Sequence, residues 1–259
     1  MEVVIRTDAA EAGQTVAGIV HRALLNGAKT LGLATGLSPL SAYRDLGRRH
    51  REEGLTLADV DVFLLDEYVG LPPEHPQSYV HVIRRELADR TDLNPDRVHA
   101  PSGTTADPLA EARRYEAALA AGGPVDVQLL GIGVNGHIGF NEPGSSLASR
   151  TRLKTLTDAT RRANALFFEN PEDVPRHVIT QGLATIGEAR HLILIATGPH
   201  KAQAVAAAVE GPVSAHCPAS ILQLHPHVTV VLDELAASQL RDQPYYRYVA
   251  RHKPAGQGY

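Results

Sequence analysis

Apolar residues recur along this chain with two different periods. Val16, Ile19, Val20, Ala23 and Leu24 fall at helical spacing, and Asn26-Gly27 ends that helix. Shorter continuous apolar runs have the character of buried strands. One leads into Gly32-Leu33; the others are Val60 to Leu65, Val125 to Leu130, His191 to Ala196 and Val228 to Leu232. Helical segments are expected near 78–89, 108–121 and 159–169, and an alanine-rich helix over His200 to Val209. Ser38 and Pro39 suit the cap and first position of a further helix. The basic cluster Arg48-Arg49-His50-Arg51 closes it, where cations favour the negative end of the helix dipole.

Alternating strand and helix signals predict an α/β fold with a largely parallel sheet and helices on both faces. No repeat, low-complexity stretch or linker interrupts the pattern, so residues 1–259 are read as a single domain. A hydrophobic content of 43% supplies a full core. Net charge is −4, from 25 basic and 29 acidic residues, with no extended basic block, which argues against a nucleic-acid partner. No apolar run reaches membrane-spanning length, and the amino terminus lacks the pattern of a signal peptide, so no membrane partner is expected. The single cysteine, Cys217, has no internal disulfide partner, which suits a reducing cytoplasmic setting; it reads as a packed small hydrophobe.

The chemistry is concentrated where strands end. Thr35, Asp66, His137 and Lys201 each stand just past an apolar run, and in open α/β sheets that edge is where ligands bind. The strongest signal is Gly131-Ile132-Gly133-Val134-Asn135-Gly136-His137-Ile138-Gly139, a flexible backbone around one imidazole, with Glu142 close enough in sequence to orient the ring. Gly36, Leu37 and Ser38, with Thr35, form either a plain strand-to-helix turn or an anion cradle at a helix start. Lys201 is either a solvated lysine or a phosphate contact. Asp66-Glu67 is either a solvated strand end or cap, or a working pair.

Three blocks resemble the glucosamine-6-phosphate deaminases: Leu65 to Pro72 with His75 to Tyr79, Asn135 to Pro143, and Ser145 to Arg152. The resemblance runs from about residue 30 to about 235 in matching order, and implies a Rossmann-like domain. It implies deamination of glucosamine 6-phosphate to fructose 6-phosphate and ammonia through an aldose–ketose isomerisation, without metal or other cofactor. His137 would open the pyranose ring, with Asn135 and Glu142 holding the imidazole. Asp66 would move a proton between C2 and C1. By the same resemblance Thr35 to Ser38 and Lys201 hold the phosphate, and Ser145, Ser146, Arg152 and Lys154 match a segment that binds an acetylated amino-sugar phosphate in some oligomeric relatives; a surface loop is the alternative. Relatives include monomers and hexamers, which leaves a homo-oligomer open.

The chain departs from the pattern at three points. Asn135 stands where many relatives have aspartate, Gly36-Leu37-Ser38-Pro39 varies the phosphate loop, and Leu166 stands where relatives place a phosphate-binding arginine. Arg162 lies four residues earlier, on the same face of the expected helix, and is the candidate replacement. Two other classes are weighed. A 6-phosphogluconolactonase-like hydrolase fits poorly, because Ile138-Gly139-Phe140 follows the histidine. A non-catalytic sugar-phosphate sensor is suggested by Leu166 alone.

Overall fold

The computed structural model describes residues 1–254 and 257–259. Ten strands and nine α-helices follow one another among these residues: β1 (Glu2–Arg6), α1 (Ala9–Leu25), β2 (Thr30–Leu33), α2 (Leu37–Glu53), β3 (Asp61–Leu64), β4 (Asp66–Tyr68), α3 (Tyr79–Glu86), β5 (Val98–His99), α4 (Pro108–Gly122), β6 (Val127–Leu130), β7 (Arg152–Thr155), α5 (Asp158–Asn164), β8 (His177–Thr180), α6 (Leu183–Ile186), β9 (His191–Ala196), α7 (Ala202–Val209), β10 (Val228–Asp233), α8 (Glu234–Ala237) and α9 (Gln243–Arg251). Seven strands form a parallel sheet in the order β1-β10-β9-β6-β2-β3-β5. The order reverses between β2 and β6. That switch point opens a crevice beyond the carboxyl ends of the two strands, where Thr35 and Gly131 begin their loops.

The apolar runs are continuous because both faces of this sheet are covered. Along β9, Leu192, Leu194 and Ala196 join the core under α4, α7 and α8, whereas Ile193 and Ile195 join the core under α1, α2 and α3. The side-chain period of two sends successive residues to opposite faces, so a strand apolar at every position needs helices on both. Each such isoleucine or leucine removed from water contributes about 1.5–3 kcal/mol. Asp8 and Asp107 start α1 and α4 by accepting two amide hydrogens each.

Helix α2 starts differently from the expectation. Gly36, at φ +105°, is the cap, and Ser38 lies inside the first turn. The reversal there needs a left-handed residue, so glycine displaces the hydroxyl cap and leaves the first amide hydrogens unpaired by any side chain. The expected helix 159–169 also ends early. Its α-helical part stops at Asn164 and a 3-10 turn covers Ala165–Phe167, because Asn164 Nδ2 bonds the Tyr68 hydroxyl (2.7 Å) and Phe168 turns inward, edge-on to Tyr68.

A second, antiparallel sheet, β4-β8-β7, is not marked by any apolar run. Its strands are short, and β7 (Arg-Leu-Lys-Thr) is polar. It is held by tertiary pairing of Asp66 and Arg152 with Thr180 across β8. The carboxyl-terminal helix α9 leaves Tyr245 and Tyr248 exposed, while the Tyr246 hydroxyl donates to Glu210 at 3.2 Å. Among the described residues no helix is long and apolar enough to cross a membrane.

Candidate active site

Four strand ends converge at the switch point. The glycine loop after β6 is tied to itself by Gly133 N–H donating to His137 O (2.9 Å) and Gly136 N–H donating to Gly133 O (3.0 Å). Gly133 has a specific reason to be glycine: a Cβ there would stand 2.2–2.4 Å from three atoms of the His137 ring. The imidazole therefore lies flat on the bare backbone, with 20% of its side chain exposed. Its Nδ1 is 2.7 Å from Asn135 Oδ1, and Asn135 Nδ2 donates to Glu142 Oε2 at 2.7 Å. The amide thus bridges ring and carboxylate, and the direct Nδ1 to Oε2 distance is 3.6 Å, an ion-pair separation when the ring is protonated.

Glu142 Oε1 accepts from the hydroxyls of Thr160 and Thr157. Burial alone would raise the Glu142 pKa, but donated hydrogen bonds and the neighbouring imidazole outweigh it and bring the carboxyl down to about 2. Glu142 is therefore a fixed anion across the physiological range.

Asp66 and Glu67 divide into two roles. Glu67 accepts from the amides of Tyr68, Tyr79 and Val80 and from Ser78 Oγ, which makes it the cap of α3. Asp66 is buried, yet its carboxylate makes no hydrogen bond among the described residues. It faces the glycine loop: a Cβ placed on Gly139 would lie 3.6 Å from Asp66 Oδ2. Burial, and secondarily the charge on Glu67, push the Asp66 pKa well above the usual carboxylate range. A largely buried carboxyl of raised pKa that makes no hydrogen bond among the described residues is a candidate for proton transfer.

The neighbouring loops form the third part. Lys201 ends the 3-10 turn after β9 and donates Nζ to Ile132 O in the glycine loop at 2.6 Å. Burial lowers its pKa, and a half-buried cation facing only a carbonyl calls for an anion. Ser38 Oγ is 3.1 Å from Thr197 Oγ1, which joins the start of α2 to the same loop, while Thr35, Gly36 and Leu37 line the turn beside it. Sequence reasoning did not single out Thr197 or Asp233. The Asp233 carboxylate, at the end of β10, accepts the Gly198 amide hydrogen at 2.9 and 3.0 Å and so anchors the Lys201 loop; its acidic position at a strand end was the available signal.

The remaining candidates lie further out. Arg162 is exposed on α5, beside a surface hollow with Asp158, Arg161, Pro171 and Glu172, and no contact among the described residues links it to Lys201. Leu166 is 68% exposed in the 3-10 turn that follows α5. Arg152 donates to Asn141 Oδ1 (2.8 Å) and Ser145 Oγ (3.2 Å), bracing the loop that carries Glu142. Lys154 stands two residues along β7, and Ser146 Oγ accepts the Ala148 amide hydrogen. Cys217 packs over Gly136, and burial raises its thiol pKa. A hollow of about 420 Å³ opens at the opposite, amino edge of the sheet, around Arg22, Asp126, His191 and His227, remote from this chemistry. Among the described residues no group of three His, Cys, Asp or Glu side chains is placed to hold a metal ion.

The family model described as glucosamine-6-phosphate isomerases/6-phosphogluconolactonase matches residues 7–231. The chain is 61% identical to a glucosamine-6-phosphate deaminase of Rhodococcus jostii and 54% identical to one of Streptomyces coelicolor, each over the full length of both chains. Among solved structures it resembles a monomeric glucosamine-6-phosphate deaminase, with TM-score 0.91 and 41% identity over 92% of this chain and 100% of that one. A 6-phosphogluconolactonase from Trypanosoma cruzi shares the fold, at TM-score 0.73 and 21% identity over 93% and 97% of the two chains. A parallel sheet with this switch point, carrying these loops in this order, places the chain in the family of glucosamine-6-phosphate isomerases and 6-phosphogluconolactonases.

Proposed function

We propose that this chain is a glucosamine-6-phosphate deaminase, converting D-glucosamine 6-phosphate and water to D-fructose 6-phosphate and ammonia. The observation that carries the reading is the buried, unpartnered Asp66 carboxylate facing the loop that holds the linked His137, Asn135 and Glu142. A lactone hydrolase needs an activated water and a leaving group. A largely buried base beside the loop that carries the imidazole suits movement of a carbon-bound proton.

In this reading the amino sugar binds with its phosphate between Lys201, the hydroxyls of Ser38 and Thr35, and the free amides at Gly36 and Leu37. Helix α2, at 17 residues, adds the positive end of its dipole. His137 carries the proton from the C1 hydroxyl to the ring oxygen, which opens the pyranose. The exposed aldehyde acidifies the C2 hydrogen, and Asp66 removes it. The C1 oxygen takes a proton as the 1,2-enolamine forms; returning the C2 proton to C1, with the amino group giving up one proton in exchange, leaves an imine at C2, which water hydrolyses to the ketone and ammonia. Asn135 and Glu142 hold the imidazole tautomer and stabilise its cation.

Arg162 is read as an outer phosphate contact, reached when α5 approaches the ligand; its free guanidinium on that helix supports this. Ser145, Ser146, Arg152 and Lys154 are read as an anion patch for an acetylated amino-sugar phosphate. The half-buried Arg152, which has no carboxylate partner among the described residues, supports that reading. Residues 1–259 act as one domain, and the single half-buried Cys217 suits a reducing, cytoplasmic setting. Ammonia release from glucosamine 6-phosphate, compared with hydrolysis of 6-phosphogluconolactone, tests the assignment. Lactone turnover without ammonia release would overturn it.

A further inference from the structure

The Glu142 carboxylate is held by two different parts of the chain. Its Oε2 belongs to the glycine loop, through Asn135. Its Oε1 belongs to the start of α5, through Thr160 and Thr157. Thr160 is 4% exposed, and its one hydroxyl hydrogen goes to Glu142. Thr157 caps α5 by accepting the Thr160 amide hydrogen at 3.2 Å, and its own hydroxyl hydrogen reaches either Thr160 Oγ1 (3.1 Å) or Glu142 Oε1 (3.3 Å). At its other end the same helix donates from Asn164 Nδ2 to the Tyr68 hydroxyl at 2.7 Å, two residues along β4 from Asp66. One short helix therefore touches the strand that carries the buried base and the carboxylate that serves the imidazole.

We propose that Thr160 is a positioning residue for this reaction: by binding Glu142 Oε1 it aligns the carboxylate on Asn135 and His137, so that the proton-carrying chain is assembled only when α5 is seated. The inference rests on the deaminase reading for its catalytic consequence, while the alignment itself is a property of the fold. The physical need is plain. A carboxylate held on one oxygen can rotate about its Cγ–Cδ bond, and one held on both cannot. Among the described residues His137 is the titratable group facing Glu142, and Asn135, Thr157 and Thr160 provide its neutral donors.

The experiment compares Thr160→Val, which keeps the shape and removes the hydroxyl, with Thr160→Ser, which keeps the hydroxyl. A hydrogen bond to a charged acceptor contributes enough that its loss should lower kcat by about tenfold or more, with KM for glucosamine 6-phosphate within about twofold of wild type. The serine variant should recover to within about threefold of wild type. In a carbon-13 titration of Glu142, its midpoint should move up by about one pH unit in Thr160→Val and stay in place in Thr160→Ser. Equal kcat in valine and wild type, a serine variant as impaired as valine, or an unmoved Glu142 midpoint would each overturn the proposal. If Thr160→Val does not fold, Thr160→Ala is measured by the same two readouts, and an unchanged kcat and midpoint there would overturn the proposal. Absence of ammonia release from the wild type would instead defeat the deaminase reading, and the titration would still decide the alignment.

Discussion

Two adjacent acids, Asp66 and Glu67, show how much a residue's role depends on what surrounds it. Glu67 meets three amides and a hydroxyl and becomes a cap, though burial still raises its pKa; Asp66 meets no donor, and burial pushes its pKa well above the ordinary value. A carboxyl whose folded pKa lies above its unfolded value costs stability once pH exceeds the unfolded value, and the cost is complete above the folded value. Asp66→Asn should therefore lower kcat by about a thousandfold, retain ligand binding and raise Tm at neutral pH, with the gain in Tm vanishing below the ordinary aspartate range. Calorimetry across pH beside an ammonia assay checks both halves. Because the base must be ionised to act, the wild-type rate should fall with acid at a pH above the usual carboxylate range. Gly133→Ala should displace the imidazole that rests on the glycine and lower kcat by about a hundredfold with the fold intact by circular dichroism.

Strand-to-helix loops, more than the strands themselves, carry the proposed phosphate contacts. Gly36 turns the chain into α2 and leaves its first amides free, and Asp233 holds the Gly198 amide so that Lys201 projects to Ile132. Lys201→Ala should raise KM for the phosphorylated sugar by about tenfold or more. Arg162→Ala should raise KM less, since α5 carries it at the surface; an unchanged KM in that variant alone would remove Arg162 from the phosphate set. Free glucosamine as competitor separates phosphate recognition from sugar recognition in both variants. The periodicity that suggested a helix over 159–169 could not show that Asn164 and Phe168 would contact Tyr68, where the α-helix gives way to a 3-10 turn.

At the scale of the molecule, two carboxyls of the site, Glu142 and Asp66, contribute to the response to acid with opposite signs. Glu142, lowered to about 2, contributes stability that is present in full above the unfolded glutamate value and is lost as pH falls through the folded one. Glu142→Gln should accordingly be less stable than wild type at neutral pH, with the difference closing as pH falls toward 2. Urea midpoints from neutral pH downward measure this. Asp66 has the opposite sign, so the site offsets part of its own electrostatic cost within one cavity. The sheet around it is insulated from these titrations by its two apolar layers, one on each face.

The major sheet was legible because a parallel strand covered on both faces is apolar at most positions, a pattern that β3, β6, β9 and β10 carry in their own letters. His137 was legible for a similar reason, since a histidine among glycines states a backbone requirement locally. The short sheet β4-β8-β7 was not, because its strands are polar or brief and owe their form to partners more than a hundred residues away in the case of β4 and β8. Composition and order along the chain determined which chemical groups this protein has and which edge of the sheet they occupy. Only the tertiary structure decided which carboxylate is a cap and which is left free, since a carboxyl's charge is set by the donors and the water around it, and those come from elsewhere in the sequence.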